Sequence, residues 1–249
     1  MRQLLVALPE PLSESIAVAP VLRQRLERVL RLRPGAALVL TNGRGRQVAV
    51  HYQGNHFATT TAPVDHPPPP LELVMACGVL KGERFDWVIE KLAELGATSL
   101  QPLQTEHGVV RALGAGAADR QTRWQAVADA ALEQCGRPWR LEVQPPLALP
   151  QWLARLPAGV PILVCAEHGD HPPLGSVVKT LAKNLGRLRL VVVVGAEGGL
   201  SEIERVVLQR HHCINVSLGS AVLRAETAAL AAAVIALDAV GADLLGLSE

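Results

Sequence analysis

Two loops near the end of the chain combine glycine with charged side chains. The first loop, Gly195–Gly199, follows four consecutive valines and precedes an acidic helix start. The second, Gly219–Thr227, follows the apolar segment Ile214–Leu218 and opens an alanine-rich helix. Because ligands of an open parallel sheet bind at the carboxyl ends of its strands, we expect both loops to lie at neighbouring strand ends and to share a ligand.

The residue types of the first loop restrict the ligand that it could bind. The loop has neither the lysine and hydroxyl residue of a phosphate-binding P-loop nor the GxGxxG spacing of a dinucleotide site. A phosphate bound in this loop would also lie beside the negative carboxylate of Glu197, which is unfavourable. The loop therefore favours a ligand that is neutral or cationic at the contact, such as an adenosyl sulfonium, although a tight turn without a ligand would need the same glycines.

The second loop supplies Arg224 and Glu226 at the start of a helix. Arg224 has apolar neighbours in sequence, so it would need a partner if it were buried. Glu226 is suited to accept a proton, or it could only complement the helix dipole. The alanines that follow would allow another backbone, either a loop or a second subunit, to approach closely.

Strand and helix patterns alternate from residue 71 onward. Apolar strands are predicted at Leu71–Ala76, Ser99–Leu103 and Val160–Cys165, and helices at Phe85–Leu95, 118–135 and Val177–Leu185. This alternation predicts an α/β domain with a parallel sheet covered by helices. His168–His171, just after the third of these strands, are expected to line the site as a loop and not as a metal centre.

The first 66 residues have a different pattern. Leu38–Leu40 and Val48–Tyr52 flank a turn-rich segment and predict a hairpin, and Val21–Leu32 has helical spacing with Leu22, Leu26, Val29 and Leu30 on its apolar face. The proline run after Asp65 predicts a stiff linker. Residues 1–66 contain eight arginines and four acidic residues. This excess of positive charge indicates either a polyanion contact or a solvated arginine face.

Composition excludes several other classes of protein. No apolar run reaches the roughly 18 to 20 residues of a membrane span, and the first residues do not resemble a signal peptide, so a soluble cytoplasmic protein is expected. The four cysteines lie far apart with no CxxC pair, and the histidines form no ligand pattern. We therefore expect no metal site and no disulfide framework.

Several ordered motifs resemble those of the RsmE-type methyltransferases, which make N3-methyluridine in small-subunit (16S) ribosomal RNA. The stretches at 195–204 and 218–232 resemble the GPEGG and LGxRxLRxETA signatures of that family. In the first domain, its pattern is similar to Val29–Arg31, Pro34–Gly35 and Asn42–Gly43. The motifs are LKGER at 80–84, EKLAELG at 90–96, Thr105–Glu106, ALEQCGR at 131–137, GAEGGLSEIE at 195–204 and LGSAVLRAETAALAA at 218–232.

The resemblance implies a two-domain enzyme. A small PUA-like β-barrel domain for RNA, residues 1–66, would precede a SPOUT methyltransferase domain, residues 71–249, whose parallel sheet ends in a C-terminal trefoil knot. S-adenosyl-L-methionine would bind in the knot of a homodimer formed through the C-terminal domain. Ribosomal RNA or the small ribosomal subunit would be the substrate, with no membrane or metal involved.

The resemblance also implies roles for individual residues. Arg224 would steady the charge that develops on the uracil carbonyls, and Glu226 or Glu197 would accept the N3 proton. RNA contacts are expected from Arg25, Arg28, Arg31, Lys81, Lys91 and Arg137. The cofactor-binding residues would be Cys165, Ala166, Glu167, Gly195, Ala196, Glu197, Gly198, Gly199, Leu218, Gly219 and Leu223.

The chain departs from the family pattern at a few positions of these motifs. Ala196 replaces a usual proline, Ala221 a usual arginine and Ala225 a usual threonine, and Arg25 stands where a histidine is common. The arginine lost at position 221 puts one RNA or substrate contact in doubt. These departures leave two alternatives open: an RNA-binding protein with weakened catalysis, and a SPOUT enzyme that acts on another RNA.

Overall fold

A computed structural model describes residues 1–183 and 188–241 of the 249-residue chain. Leu185, the predicted end of one helix, and the last residues of the predicted second domain lie outside the described residues. The chain divides into two compact units. The first consists of Met1–Pro68 and Asp129–Arg140, and the second begins at Pro69, leaves out Asp129–Arg140 and continues from Leu141.

The first unit is built on a six-stranded sheet, in the order β1-β3-β4-β5-β2, with β6 paired to β4. The parallel pair is β1 with β3, and the other pairs are antiparallel. The predicted hairpin is confirmed, because β3 and β4 pair from Ala37 opposite His51 to Thr41 opposite Gln47. The strands are β1 (Arg2–Leu5), β2 (Ser15–Ala17), β3 (Ala37–Thr41), β4 (Arg46–Tyr52), β5 (His56–Thr59) and β6 (Val64–Asp65).

The predicted helix of the first unit is shorter and less regular than expected. Helix α1 (Pro20–Gln24) continues into a single π-helical turn, Arg25–Val29, in which the N–H of Leu30 donates to the carbonyl of Arg25 at 3.0 Å. A π turn is wider than an α-helical turn, so residues within it and beyond it leave the stripe that a 3.6-residue period defines. The prediction is therefore wrong for Val29, which is 71% exposed, whereas Leu26 is fully buried.

The segment Asp129–Arg140 completes the first unit. The side-chain amide of Gln3, which is buried, donates to the carbonyls of Leu132 and Arg137 at 3.2 and 2.9 Å. The indole N–H of Trp139 donates to the carbonyl of Pro67 at 2.9 Å. The ring of Trp139 also lies against Gly45, where a β-carbon would be 2.5 Å from Cζ2. The unit is thus closed by residues that are distant in sequence.

The second unit contains a seven-stranded, fully parallel sheet, in the order β10-β8-β7-β12-β11-β13, with β9 paired to β8. The predicted α/β fold with a parallel sheet is confirmed. The strands are β7 (Leu71–Gly78), β8 (Ser99–Gln104), β9 (Glu142–Val143), β10 (Leu147–Ala148), β11 (Ile162–Cys165), β12 (Leu188–Val194) and β13 (Ile214–Val216).

Most helices after α1 follow the predicted pattern, but α4 was not predicted and α5 begins at Leu174 instead of Val177. They are α2 (Glu83–Leu95), α3 (Ala117–Cys135), α4 (Leu149–Leu153), α5 (Leu174–Ala182), α6 (Glu202–Arg210) and α7 (Ala225–Ala239). Gly96 ends α2 in the left-handed region, at φ 92°, as the sequence predicts. Within the described residues, no helix has both the length and the apolar character needed to cross a bilayer.

The strand order places the two glycine-rich loops around a third strand. Val191–Val194 of β12 are buried, because β12 is a central strand with β7 on one side and β11 on the other. The expectation that the two loops follow neighbouring strands is wrong, since β11 separates β12 from β13. All three strands are parallel, so their carboxyl ends still meet at one edge of the sheet.

Candidate functional site

A cavity of about 300 Å³ lies where β11, β12 and β13 end. Its wall includes Arg224 and Glu226, which the sequence singled out for chemistry, together with all of the expected cofactor-binding residues except Gly198 and Gly199. Those that line it are Cys165, Ala166, Glu167, Gly195, Ala196, Glu197, Leu218, Gly219 and Leu223. The three strand ends therefore bring together segments that are far apart in sequence.

The first wall is Gly195–Gly199, the glycine loop, which folds back on itself. The N–H of Gly199 donates to the carbonyl of Ala196 at 2.9 Å, and Gly199 has φ 67°. A β-carbon on Gly195 would be 3.0 Å from the carbonyl carbon of Gly199. The end of β7 also approaches closely, because a β-carbon on Gly78 would be 2.4 Å from the backbone nitrogen of Ala196.

Glu197 in this loop is held by the segment that leads into α2. Its Oε1 atom is 3.3 Å from Nη1 of Arg84 and accepts a long hydrogen bond, 3.4 Å, from the N–H of Lys81. Arg84 also lines the cavity. Lys81 and Arg84 belong to one motif, LKGER at 80–84, but the sequence indicated no role for Arg84. The charge of Glu197 is thus partly compensated by the protein.

The second wall is the segment from Leu218 to the start of α7. Gly219 has φ 135°, and its N–H donates to Oγ of Ser217 at 3.1 Å. Arg224 is the N-cap residue of α7. Its side chain is exposed and has no hydrogen bond or ion pair among residues 1–183 and 188–241. The partner that a buried arginine would need is therefore not required, because Arg224 is exposed at the wall of the cavity.

Glu226 occupies the first turn of α7, and one of its oxygens is unusual. Its Oε2 atom is buried but has no hydrogen-bond partner in the part of the chain that the structure describes. A buried acceptor without a donor is costly, and such an atom is normally satisfied by water or by a ligand. Glu226 therefore has an oxygen available for a hydrogen-bond donor in the cavity.

The third wall is the end of β11. Desolvation raises the pKa of the Cys165 thiol to about 12, so this side chain is neutral at physiological pH. Glu167 has no hydrogen bond or ion pair within the two described ranges of the chain. Its carboxylate packs against the glycine loop, where a β-carbon on Gly199 would be 2.5 Å from Oε1.

The residues that follow Glu167 do not line this cavity. After Glu167 the chain turns toward α5 and pairs with the end of β13, through hydrogen bonds between Pro172 or Leu174 and Ser217. His171 consequently lines a neighbouring cavity of about 540 Å³, with Lys179 and Asp238. The expectation that His168–His171 form a wall of the first cavity is wrong for this reason.

The charged groups of the first cavity favour a ligand with hydrogen-bond donors and positive charge. Three carboxylates, Glu167, Glu197 and Glu226, face two arginines, Arg84 and Arg224. Arg84 pairs with Glu197, which leaves two carboxylates and one arginine without partners among the described residues. No group of three histidine, cysteine, aspartate or glutamate side chains in the described ranges is placed to hold a metal ion.

The basic residues expected to bind RNA have different surroundings. Arg25 makes a bidentate contact with Glu133, at 3.2 and 2.5 Å. Lys91 donates to Glu90 and Glu94 at 2.6 and 2.8 Å, and these hydrogen bonds raise the pKa of Lys91. Both positive charges are therefore already compensated within the protein.

Arg28, Arg31 and Lys81 are exposed instead. Their side chains have no ion-pair partner within residues 1–183 and 188–241, and Arg31 adopts a positive φ of 53°. Arg137 is half-buried, and its backbone carbonyl accepts the hydrogen bond from Gln3. Arg28, Arg31 and Lys81 are therefore the basic residues of this set that are available to an external polyanion.

Comparison with known proteins places this cavity in a family context. The family described as RNA methyltransferase domain matches residues 67–237. Ribosomal RNA small subunit methyltransferase E of Synechocystis is 31% identical over 231 residues, which are 90% of this chain and 73% of that protein. The protein of the same name from Mycobacterium bovis is 34% identical and covers 86% of this chain and 80% of its own.

A solved structure has the same fold over nearly the whole length. It is the crystal structure of a ribosomal RNA small subunit methyltransferase E from Neisseria gonorrhoeae bound to S-adenosyl methionine. Its TM-score to this chain is 0.78, with 26% identity, and the match covers 96% of this chain and 97% of that one.

Proposed function

This chain belongs to the ribosomal RNA small subunit methyltransferase E family, within the RNA methyltransferase domain family, and we propose that it methylates N3 of a uridine in small-subunit (16S) ribosomal RNA with S-adenosyl-L-methionine. The observation that carries the proposal is the cavity at the ends of β11, β12 and β13, where Glu167, Arg224 and Glu226 have no partner among the described residues. A donor-rich nucleoside and a uracil would supply those partners.

The residues of the cavity fit S-adenosylmethionine. A volume of about 300 Å³ lies at the lower end of the range for small-molecule sites. Glu167, which has no hydrogen bond or ion pair among the described residues, can accept from the donors of the nucleoside, and Gly195–Glu197 place the glycine loop in the cavity wall. The glycine loop, Cys165–Glu167 and Leu218–Leu223 would hold the cofactor, which when bound supplies an electrophilic methyl group on a sulfonium.

Glu226 is the better placed of the two candidate bases. Glu197 already accepts a hydrogen bond from Lys81 and pairs with Arg84, whereas Oε2 of Glu226 has no donor within the described residues. We assign to Glu226 Oε2 the acceptance of the N3 proton of uracil. General-base catalysis of this kind contributes roughly 10²- to 10⁴-fold to the rate.

We assign to Arg224 the stabilisation of negative charge on the uracil substrate. Its guanidinium is exposed at the rim of the cavity and is not compensated by a carboxylate in the described part of the chain. Loss of the N3 proton places negative charge on the two flanking carbonyl oxygens of uracil, and a preorganised cation stabilises that charge. Arg84, paired with Glu197, keeps a second positive charge at the cavity.

The architecture proposed from the family goes further than the parallel sheet itself. Residues 1–66 are proposed as a PUA-like β-barrel for RNA, and residues 71–249 as a SPOUT domain with a trefoil knot. The strand order supports the knot, because β12 is inserted between β7 and β11, which precede it in the chain. The exposure of Arg28 and Arg31 without ion-pair partners among the described residues supports RNA binding by the small domain.

Homodimerisation and a cytoplasmic location complete the proposal. Exposed apolar side chains on and before α7, Val222 and Val234, support a dimer formed through the C-terminal domain. A ribosomal RNA substrate, naked or in the small subunit, supports action in the cytoplasm.

Two measurements test the proposed function. Isothermal titration calorimetry with S-adenosylmethionine should show binding by the purified protein, and mass spectrometry of 16S ribosomal RNA from a strain lacking the protein should show one N3-methyluridine missing. Restoration of that methyl group by the purified protein would complete the assignment. Binding without any missing methyl group in 16S RNA would exclude this substrate, and absence of binding would exclude the methyl donor.

A further inference from the structure

A buried carboxylate at the start of α6, just after the glycine loop, contacts the segment that follows β8. Glu204 is only 6% exposed, and its Oε2 atom accepts the N–H of Ser201 at 2.9 Å. Its Oε1 atom accepts the N–H of Glu106 at 3.0 Å. Glu106 belongs to Thr105–Gly108, here called the β8 loop, whose carbonyl of Thr105 and N–H of Gly108 close a turn at 3.1 Å.

Helix capping explains only part of this arrangement. Ser201 and Glu204 form a reciprocal capping box at the start of α6, since Oγ of Ser201 accepts the N–H of Glu204 at 3.2 Å. That motif uses one carboxylate oxygen and does not require burial. Burying a charged group is unfavourable unless its acceptors are satisfied, and here the second oxygen is satisfied by another loop. The junction with Glu106 is therefore a separate feature.

The β8 loop in turn contacts the glycine loop directly. Nδ1 of His107 lies 3.0 Å from the carbonyl oxygen of Gly198. Because a carbonyl oxygen can only accept, Nδ1 carries the hydrogen in this contact. A β-carbon on Gly198 would be 2.7 Å from Cβ of His107, so the two backbones are in close contact.

The contacts fall on the side of the glycine loop that faces away from the cavity. Gly195, Ala196 and Glu197 line the cavity, whereas Gly198 does not, and neither do His107 or Glu204. A ligand in the cavity would meet one side of the glycine loop while the β8 loop holds the other. Glu204 and His107 are thus placed to act through the loop and not on the reacting groups.

We propose that Glu204 and His107 are positioning residues that hold the glycine loop in the shape that receives the cofactor. The inference rests on the proposed function, since it concerns the same cavity. A loop already held in its bound shape loses less conformational entropy when the ligand binds. Removal of the contact should therefore weaken cofactor binding and leave the chemical step at saturating cofactor largely unchanged.

Three variants separate positioning from stability. His107→Ala removes the contact with Gly198, and because His107 is exposed, the melting temperature should stay close to that of the wild type. Ser201→Ala is the matched control, since it removes the capping hydroxyl but leaves both carboxylate contacts of Glu204. Glu204→Gln places an amide NH₂ against one of the two N–H donors. This variant should disturb both the position of the glycine loop and the stability of the protein.

The readouts are calorimetric affinity for S-adenosylmethionine and hydrogen–deuterium exchange of residues 195–200 in the cofactor-free protein. His107→Ala should weaken affinity about three- to tenfold and speed exchange in this segment, with kcat at saturating cofactor within about twofold of the wild type. Ser201→Ala should lower the melting temperature with unchanged affinity and unchanged exchange of Gly198 and Gly199.

Two results would overturn the proposal. One is a His107→Ala variant with wild-type affinity and wild-type exchange. The other is a Ser201→Ala variant that loses as much affinity as His107→Ala. That result would mean that these contacts affect cofactor binding only through the overall stability of the protein. If the wild type itself fails to bind S-adenosylmethionine, the proposed function is wrong, and exchange in the cofactor-free protein still decides whether His107 holds the loop.

Discussion

The carboxylate of Glu167 occupies the space that a β-carbon on Gly199 would need, with Oε1 2.5 Å from that position. Gly199 also has a φ of 67°, in the region that side chains rarely adopt. The carboxylate of Glu167 can lie here because residue 199 has no side chain.

Gly199→Ala should therefore weaken binding of S-adenosylmethionine by tenfold or more, because either Glu167 or the glycine loop must move. The flexible end of Glu167 moves more easily than the backbone, and because Glu167 lines the cavity, loss of one ligand contact to its charge costs about 1.4 kcal/mol or more, which is a tenfold change in affinity. Gly159→Ala is the matched control, since Gly159 has a similar φ of 81° but no atom of the described residues within 4 Å of a new β-carbon. Equal calorimetric affinities for the two variants would contradict the prediction.

Glu226→Gln should lower the methylation rate about 100-fold while the affinity for S-adenosylmethionine changes little. The amide keeps the shape of the side chain but does not accept a proton, and a general base contributes roughly 10²- to 10⁴-fold. Single-turnover methylation and calorimetry measure the two quantities separately. Glu202→Gln, an exposed acid at the start of another helix, is the control. An unchanged rate would remove Glu226 from the proton-transfer step.

Gly45→Ala should destabilise the protein far more than Gly35→Ala. Both glycines have φ 92°, so the backbone cost of adding a side chain is common to the two. At position 45 the new β-carbon would be 2.5 Å from Cζ2 of Trp139, whereas at position 35 no atom in the described part of the chain lies within 4 Å. Overpacking of this kind costs about 1 to 3 kcal/mol of unfolding free energy.

Urea denaturation of the two glycine variants measures the difference. Trp139→Ala added to Gly45→Ala should reduce the cost of the substitution at position 45. If Gly45→Ala and Gly35→Ala unfold at the same urea concentration, the contact with Trp139 does not constrain residue 45.

Asp65→Asn should destabilise the first unit at neutral pH but not at low pH. The hydrogen bond from Arg46, 2.7 Å from Nε to Oδ1, lowers the pKa of Asp65. A carboxyl whose folded pKa is lowered adds stability above its unfolded pKa, roughly 3.9, and this stability is lost as pH falls through the folded pKa. Urea midpoints of the variant and the wild type should therefore differ at pH 7 and converge near pH 2.

Glu14→Gln is the control for the pH experiment, because the Glu14 carboxylate is exposed and has no ion pair among the described residues. A difference between Asp65→Asn and the wild type that persists at pH 2 would point to packing and not to the ion pair with Arg46.

Much of the second unit could be predicted from the sequence because its signals are local. The four valines of β12, the glycines that follow them and the left-handed stop at Gly96 are decided by neighbouring residues. The strand order is not local. Nothing in the sequence indicates that β11 lies between β12 and β13, or that the chain after Glu167 leaves the cavity to pair with Ser217.

The predictions that were wrong for the first unit failed for a similar reason. The π turn that exposes Val29 changes the helical period within a few residues, and a fixed 3.6-residue pattern does not detect it. The contacts of Gln3 and Trp139 that close this unit join residues over long sequence separations. The junction of Glu204 with Glu106 is also invisible in the sequence, where Ser201 and Glu204 indicate only a capping box.

The state of Cys165 has a consequence for an enzyme that handles an alkylating reagent. Thiolates react rapidly with activated methyl groups, and this sulfur lies in the wall of the cavity. Because burial raises the pKa of this thiol to about 12, almost none of it is ionised at neutral pH. The protein thereby protects its own wall from self-alkylation, so that the transferred carbon is kept for the nucleic acid.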